Sequence, residues 1–166
     1  MAALSRKELL FAPLYRTLTV RDYTLPDQAG TSEAIAAAQH HVAASNGAEI
    51  FIICAQDMLK IRTVIELHNT ERPEANPGDW TERLLFELPF PSAEAHMGDG
   101  FGNAVVMELP HPGIYKVDVL YRGRNEAISQ TLSIAEEFAT MPTPQSIEWR
   151  EQWAGIEEYR ILLRPA

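Results

Sequence analysis

The stretch Leu109-Pro-His-Pro-Gly-Ile-Tyr-Lys-Val-Asp-Val-Leu-Tyr-Arg122 constrains this chain more than any other. A Pro-Gly turn feeds a run in which Tyr115, Val117, Val119 and Tyr121 alternate with Lys116, Asp118 and Arg122. Successive strand side chains point to opposite faces, so the first set lines one side of a strand and the second set faces water. A strand of this kind belongs to an antiparallel sheet with one buried face.

Further strands are expected at Arg16 to Tyr23, with Leu18 and Val20 inward, and at Glu49 to Ala55, Lys60 to Asn69, Trp80 to Leu88, Ala104 to Leu109 and Glu157 to Leu163. In Lys60 to Asn69 the inward set is Ile61, Thr63, Ile65 and Leu67; in Trp80 to Leu88 it is Trp80, Leu84, Phe86 and Leu88, with Glu82 near an exposed strand start. Arg72 to Asp79, Pro89 to Asn103 and Pro110 to Gly113 read as connectors. Residues 4–12 are expected to form one or two helical turns before Pro13. Thr31 to Ser45 is the clearest helix, with a hydroxyl cap at Thr31, a stripe of Ile35, Ala38 and Val42, and Gly47 as its stop. The pattern predicts a mainly β fold: an antiparallel β-sandwich of about seven strands with one helix in the N-terminal half, as a single domain over residues 1–166. An excursion at residues 123–156 precedes the last strand and is partly helical, at Ile134 to Thr140 and Ser146 to Trp153.

The chain is 166 residues long, enough to bury a core without cross-links, and its 46% hydrophobic and 22% charged content excludes wholesale disorder. Fourteen basic residues against 23 acidic ones give a formal charge of −9. Affinity for DNA or RNA comes largely from Lys and Arg on phosphate, so direct nucleic-acid binding is disfavoured and a basic protein partner is favoured. The lone Cys54 sits in the apolar run Ile50 to Ala55 and is expected to be a buried, inert thiol. The apolar stretch Leu9 to Leu14 is short and broken by Pro13, and no run reaches the roughly 20 residues of a membrane span, so a cytoplasmic location is expected. An open sheet edge would also allow a homodimer.

No catalytic motif stands out, and no cofactor is expected. His40 and His41 diverge on a helix and cannot share a metal. The better metal geometry is Glu66 with His68 on one strand face and Asp118 as a third ligand. Gly98-Asp-Gly-Phe-Gly-Asn103 looks like a phosphate cradle, but a strand rather than a helix follows it, so a flexible connector is expected. In the excursion, Trp149 and Trp153 stand at i and i+4. They either cap the end of the sandwich or anchor a partner, because Trp is enriched at interface hot spots. The partner-binding candidates are Glu136, Glu137, Glu148, Trp149, Glu151 and Trp153. Two other readings remain open: a small-ligand module with Trp149 and Trp153 as a lid, and a metal-dependent enzyme at Glu66, His68 and Asp118.

The order of a strand near Leu14 to Tyr23, a helix ending in Asn46-Gly47-Ala48, a strand, then Ile61 to His68, Trp80 to Phe90 and the closing Leu109-Pro-His-Pro-Gly-Ile-Tyr115 resembles the competence protein J family of bacteria. The resemblance spans roughly residues 14–121 and leaves 123–166 unaccounted for. That family includes a small inhibitor of a DNA-entry nuclease. The resemblance implies a non-catalytic inhibitor or immunity-type protein, whose acidic surface occupies the basic groove of a nuclease.

Overall fold

The computed structural model describes residues 3–69, 73 and 78–166; most of the connector expected at 72–79 lies outside them. Among the described residues, ten strands form two sheets of five. In sheet I the order is β1 (Ser5–Phe11), β5 (Ile61–Leu67), β10 (Glu158–Pro165), β9 (Gly113–Arg122) and β6 (Glu82–Phe90). In sheet II it is β3 (Ala43–Ser45), β4 (Glu49–Ile53), β2 (Thr17–Arg21), β7 (Glu94–Gly98) and β8 (Ala104–Glu108).

The core lies between the two sheets. Tyr115, Val117, Val119 and Tyr121 of β9 all enter it, as the alternation requires. They meet Ile61, Ile65 and Leu67 of β5, Tyr159, Ile161 and Leu163 of β10, and Leu88 and Phe90 of β6. Sheet II contributes Leu18, Val20, Ile50, Ile52, Met97 and Met107. Each large side chain fully removed from water here contributes on the order of 1.5–3 kcal/mol. On the other side of sheet II, α1 (Thr31–His41) lays Ala34 and Ala38 on Phe51 and Ile53.

Several expectations are corrected. Residues 4–12 form no helix: Ser5–Phe11 is β1, paired antiparallel with β5, because β5 offers an edge and the segment is too short to bury a helical face. Pro89 to Asn103 is not all connector, since β7 forms within it. The sheets are not wholly antiparallel, because β10 runs parallel to β5. Helix α1 is capped by Gly30 rather than by the Thr31 hydroxyl, which donates to the Gln28 carbonyl. It ends at Val42 (φ 70°), while Gly47 turns the hairpin between β3 and β4.

The outward face of sheet I is not simply solvated. Glu66, Asp118 and Glu158 are buried there beneath guanidinium groups. Arg160 donates to both carboxylate oxygens of Glu66 (2.9 and 2.8 Å), Arg83 holds Asp118, and Arg122 holds Glu158 (Nε to Oε2, 2.9 Å). Burial alone would raise the Glu66 pKa, but hydrogen bonds and charge from Arg160 and His68 hold it below its ordinary value. Asp118, expected to face water, is therefore an interior charge covered by long side chains. Trp80 does not join the inward set; Arg122 lies over its ring at 4.8 Å.

Candidate functional site

One end of the sandwich gathers the segments that secondary structure does not use. The start of β2, the ends of β4 and β7 and the start of β8 bring residues 12–16, 54–60 and 99–103 to that end. The end of β9 and the start of β10 add the excursion 123–157, since Arg122 pairs with Glu158.

A buried carboxylate ties these segments together. Glu157, fully buried, accepts the Ala55 N–H (2.6 Å), the Gln56 amide (3.0 Å) and the Tyr159 hydroxyl (2.5 Å). Arg124 stands 3.7 Å from it and donates to the Ile53 carbonyl (2.6 Å) and to the Tyr159 oxygen. Gln56 in turn accepts the Leu59 N–H (2.6 Å). Burial, then the neighbouring Glu157 charge, pushes the Cys54 thiol far up. Burial likewise holds the Tyr159 phenol well above its ordinary range. Cys54 is thus the buried, protonated thiol that its apolar run predicted.

The excursion leaves and returns at one point. A Cβ on Gly123 (φ 74°) would lie 1.7 Å from the Ile156 carbonyl oxygen, so only glycine permits the two strands of the base to close. The Gly155 N–H bonds Lys60 O (2.8 Å), and Lys60 pairs with Glu151 (2.7 Å). Between these anchors run α2 (Arg124–Phe138) and α3 (Thr143–Gln152), longer and earlier than the short helices expected. Within α2 only Ala127 is buried, and within α3 no residue is. The two helices form an arm that gives little surface to the core.

On this arm Glu136, Glu137 and Glu148 are exposed, while Glu151 is the partner of Lys60. Trp149 meets Phe138 edge-on (5.8 Å), and Arg150 lies over the same Phe138 ring at 4.9 Å. Trp153 caps α3, its N–H bonding Trp149 O (3.3 Å), and both indoles are half-buried. Ile128, Leu132 and Ile147 stand in solvent.

A second feature of this end was not visible as a motif. Tyr15 is 79% exposed and Phe101 is 60% exposed, and their rings pair at 5.5 Å. Tyr15 and Arg16 both have positive φ (54° and 59°), a strained conformation for residues with a side chain. Phe101 sits between two positive-φ glycines on a loop that the buried Asp99 fastens, accepting the N–H groups of Phe101 (2.8 Å) and Asn103 (3.2 Å). The Gly98–Asn103 segment is therefore a connector between β7 and β8, as expected, and Asp99 fastens its turn. A cleft of about 430 Å³ beside Tyr15 is lined by Arg16, Thr17, Ile35, Gln39 and Ile53. Glycines on both sides of an aromatic residue were the one available signal for this pair.

The metal reading fails on geometry. His68 does meet Glu66 (3.0 Å), but Glu66 and Asp118 both pair with Leu162 from opposite sides, two strand spacings or about 9–10 Å apart. Arginine occupies both carboxylates, and no cluster of three metal-ligating residues exists among the described residues. No helix among them is long and apolar enough to cross a membrane.

No family model matches the sequence, and no curated protein matches it. Solved structures do match. ComJ, inhibitor of the DNA degrading activity of NucA, from Bacillus subtilis, aligns with a TM-score of 0.56 at 14% identity, covering 99% of this chain and 98% of ComJ. The chain shares the fold of ComJ. A protein described as crocagin biosynthetic gene J aligns equally fully, with a TM-score of 0.57 at 11% identity, 98% of this chain and 99% of that one. Since nearly all of both chains is covered, the likeness to ComJ reaches beyond residue 121 and takes in the arm.

Proposed function

We propose that this is a non-catalytic cytoplasmic protein that binds and blocks a basic protein partner, with a DNA-degrading nuclease as the class to test first. The observation that carries the reading is the full-length likeness to ComJ, an inhibitor of such an activity. Charge supports it: a nuclease draws DNA with a positive surface, and a chain of formal charge −9 is drawn to the same surface. The partner meets the arm, through Glu136, Glu137, Glu148 and Glu151 with Trp149 and Trp153 as apolar contacts. An arm that buries almost nothing of its own keeps that surface available.

The test is capture from lysate of the native host on the tagged protein, with washes at low and then raised salt. The expected result is one basic protein, retained near one-to-one and released by salt, that degrades DNA when free and stops when the inhibitor is added back in excess. A captured basic protein whose activity ignores added inhibitor, or a capture without any basic protein, overturns the reading.

A further inference from the structure

The two five-stranded sheets have four edge strands, and three of them are guarded. Strand β3 is only three residues long, while β1 and β8 lie against each other and Lys7 donates to the Val106 carbonyl. Strand β6 is left open. It runs nine residues at the end of sheet I, no strand among the described residues pairs with its far side, and its outward Leu85 is 57% exposed. A long edge of free N–H and C=O groups is a template for another strand.

The free groups of this edge follow from the ladder. The Ala166 N–H bonds Ile114 O (3.0 Å), so the even-numbered residues of β9 turn their backbone groups to β10 and the odd-numbered ones turn theirs to β6. The β6 partners of the odd-numbered set are Glu82, Leu84, Phe86, Leu88 and Phe90. Arg83, Leu85, Glu87 and Pro89 therefore point their backbone groups away from the sheet. Pro89, which has no N–H, sits where a strand tolerates proline. The Thr81 N–H is already taken by Tyr121 O (2.9 Å).

We propose that a second copy of this chain occupies the edge, β6 against β6 and antiparallel, on a two-fold axis through Leu85. In that register Leu85 lies opposite Leu85 and Arg83 lies opposite Glu87 of the second copy, so the N–H and C=O groups of these residues bond reciprocally. Thr81, with no N–H to give, falls opposite Pro89, which has none. Sliding one copy by two residues sets either Pro89 opposite Arg83 or Thr81 opposite Glu87, and in both cases a carbonyl loses its donor. Charge agrees with the register. Arg83 and Arg164 share Asp118, which leaves positive charge on the outer face for the exposed Glu87 of the second copy. On the inner face the half-buried Leu84 and Phe86, at the border of the core, meet Phe86 and Leu84 of the second copy. The pairing does not depend on a basic partner: the arms leave beside Glu82, and the two-fold sends them to opposite ends of one continuous sheet.

Sedimentation equilibrium on the intact, purified chain is expected to show a reversible monomer–dimer equilibrium. Leu85→Arg sets like charges together on the axis and is expected to weaken the dimer about ten-fold or more, with far-UV circular dichroism unchanged because residue 85 is exposed within one copy. Glu87→Arg faces Arg83 twice across the two-fold and is expected to weaken it by about three- to thirty-fold. A short bis-maleimide locates the axis. Cys54 is buried and protonated, so a thiol introduced at the surface is the one that reacts. Leu85→Cys is expected to cross-link into a dimer, and Ile114→Cys, equally exposed but on β9, is expected not to. A chain that stays monomeric at every concentration overturns the proposal, and that is the result if the edge is kept for a strand of another protein. A dimer that Leu85→Arg leaves intact, or one that cross-links through Ile114→Cys and not through Leu85→Cys, overturns it as well.

Discussion

The two ends of the sandwich spend the same kinds of residues differently. At the end opposite the arm, polar groups close the structure upon itself. Buried Asp22 accepts the backbone N–H and hydroxyl of Thr24 (2.8 and 2.7 Å) and of Ser92 (2.8 and 2.7 Å). Tyr115, fully buried, donates its hydroxyl to His111 O (2.8 Å), and Tyr23, though half in solvent, packs against the His96 ring at 4.4 Å. At the arm end a comparable hub around Glu157 fixes the base, and in the helices beyond it only Ala127 is buried. Leu14, Tyr15, Phe101, Ile128, Leu132 and Ile147 are exposed there, against Leu4, Tyr23 and Ile114 at the other end. The difference teaches where to look for a partner: one end closes its polar groups on itself, and the other holds more of its large apolar groups in water.

The hub should dominate stability. Glu157→Ala leaves the Ala55 N–H, Gln56 and Tyr159 without their shared acceptor and Arg124 without its counter-charge, and should cost about 3–5 kcal/mol in denaturant unfolding. A loss under about 1 kcal/mol would show that the arm's base is not built on this carboxylate.

Asp22→Asn is the matching change at the closed end and should cost about 1–3 kcal/mol. Burial pushes the Asp22 carboxyl up, yet the hydrogen bonds from Thr24 and Ser92 outweigh it and hold the pKa below its ordinary value. A depressed carboxyl contributes stability that is complete above its unfolded pKa of about 4 and is lost as pH falls through the lower folded value. Unfolding followed from pH 7 into acid should therefore fall less steeply in Asp22→Asn than in the wild type, and an identical slope would refute the assignment.

What the sequence disclosed follows the strength of its periods. The β9 face was legible because Tyr115 to Tyr121 alternate and the core is large enough to take every inward residue. β7 was not, because Ala95, Met97 and Gly98 lack the β-branched and aromatic character that marks a strand, and the neighbouring strands β2 and β8 decide it instead. The parallel pairing of β10 with β5 left no local trace, since it joins residues nearly a hundred positions apart. Asp118 looked solvated because a charge on an outward position usually is; only the fold brings Arg83 and Arg164 over it. Of the candidate site, the arm was legible by its break in rhythm. The Tyr15–Phe101 pair was not, because it is assembled from two distant turns.

A smaller effect tests whether the arm is an accessory to the fold. Replacing residues 129–152 with a short Gly-Ser linker keeps Arg124, Ala127 and Gly155, and removes one exposed ion pair and helices that bury little. Stability should change by about 1 kcal/mol or less, read by thermal unfolding. A collapse in Tm would mean the arm supports the core.

The most direct test sets the ends against each other at equal charge. Glu136→Lys with Glu137→Lys on the arm, and Glu94→Lys with Glu108→Lys on the cross-strand pair near the closed end, alter the net charge identically. Affinity for the captured basic partner, measured at low salt, should fall strongly for the arm pair and hardly for the β7–β8 pair. Equal losses would mean that net charge alone draws the partner, and a larger loss from the β7–β8 pair would place the contact at the wrong end for this account.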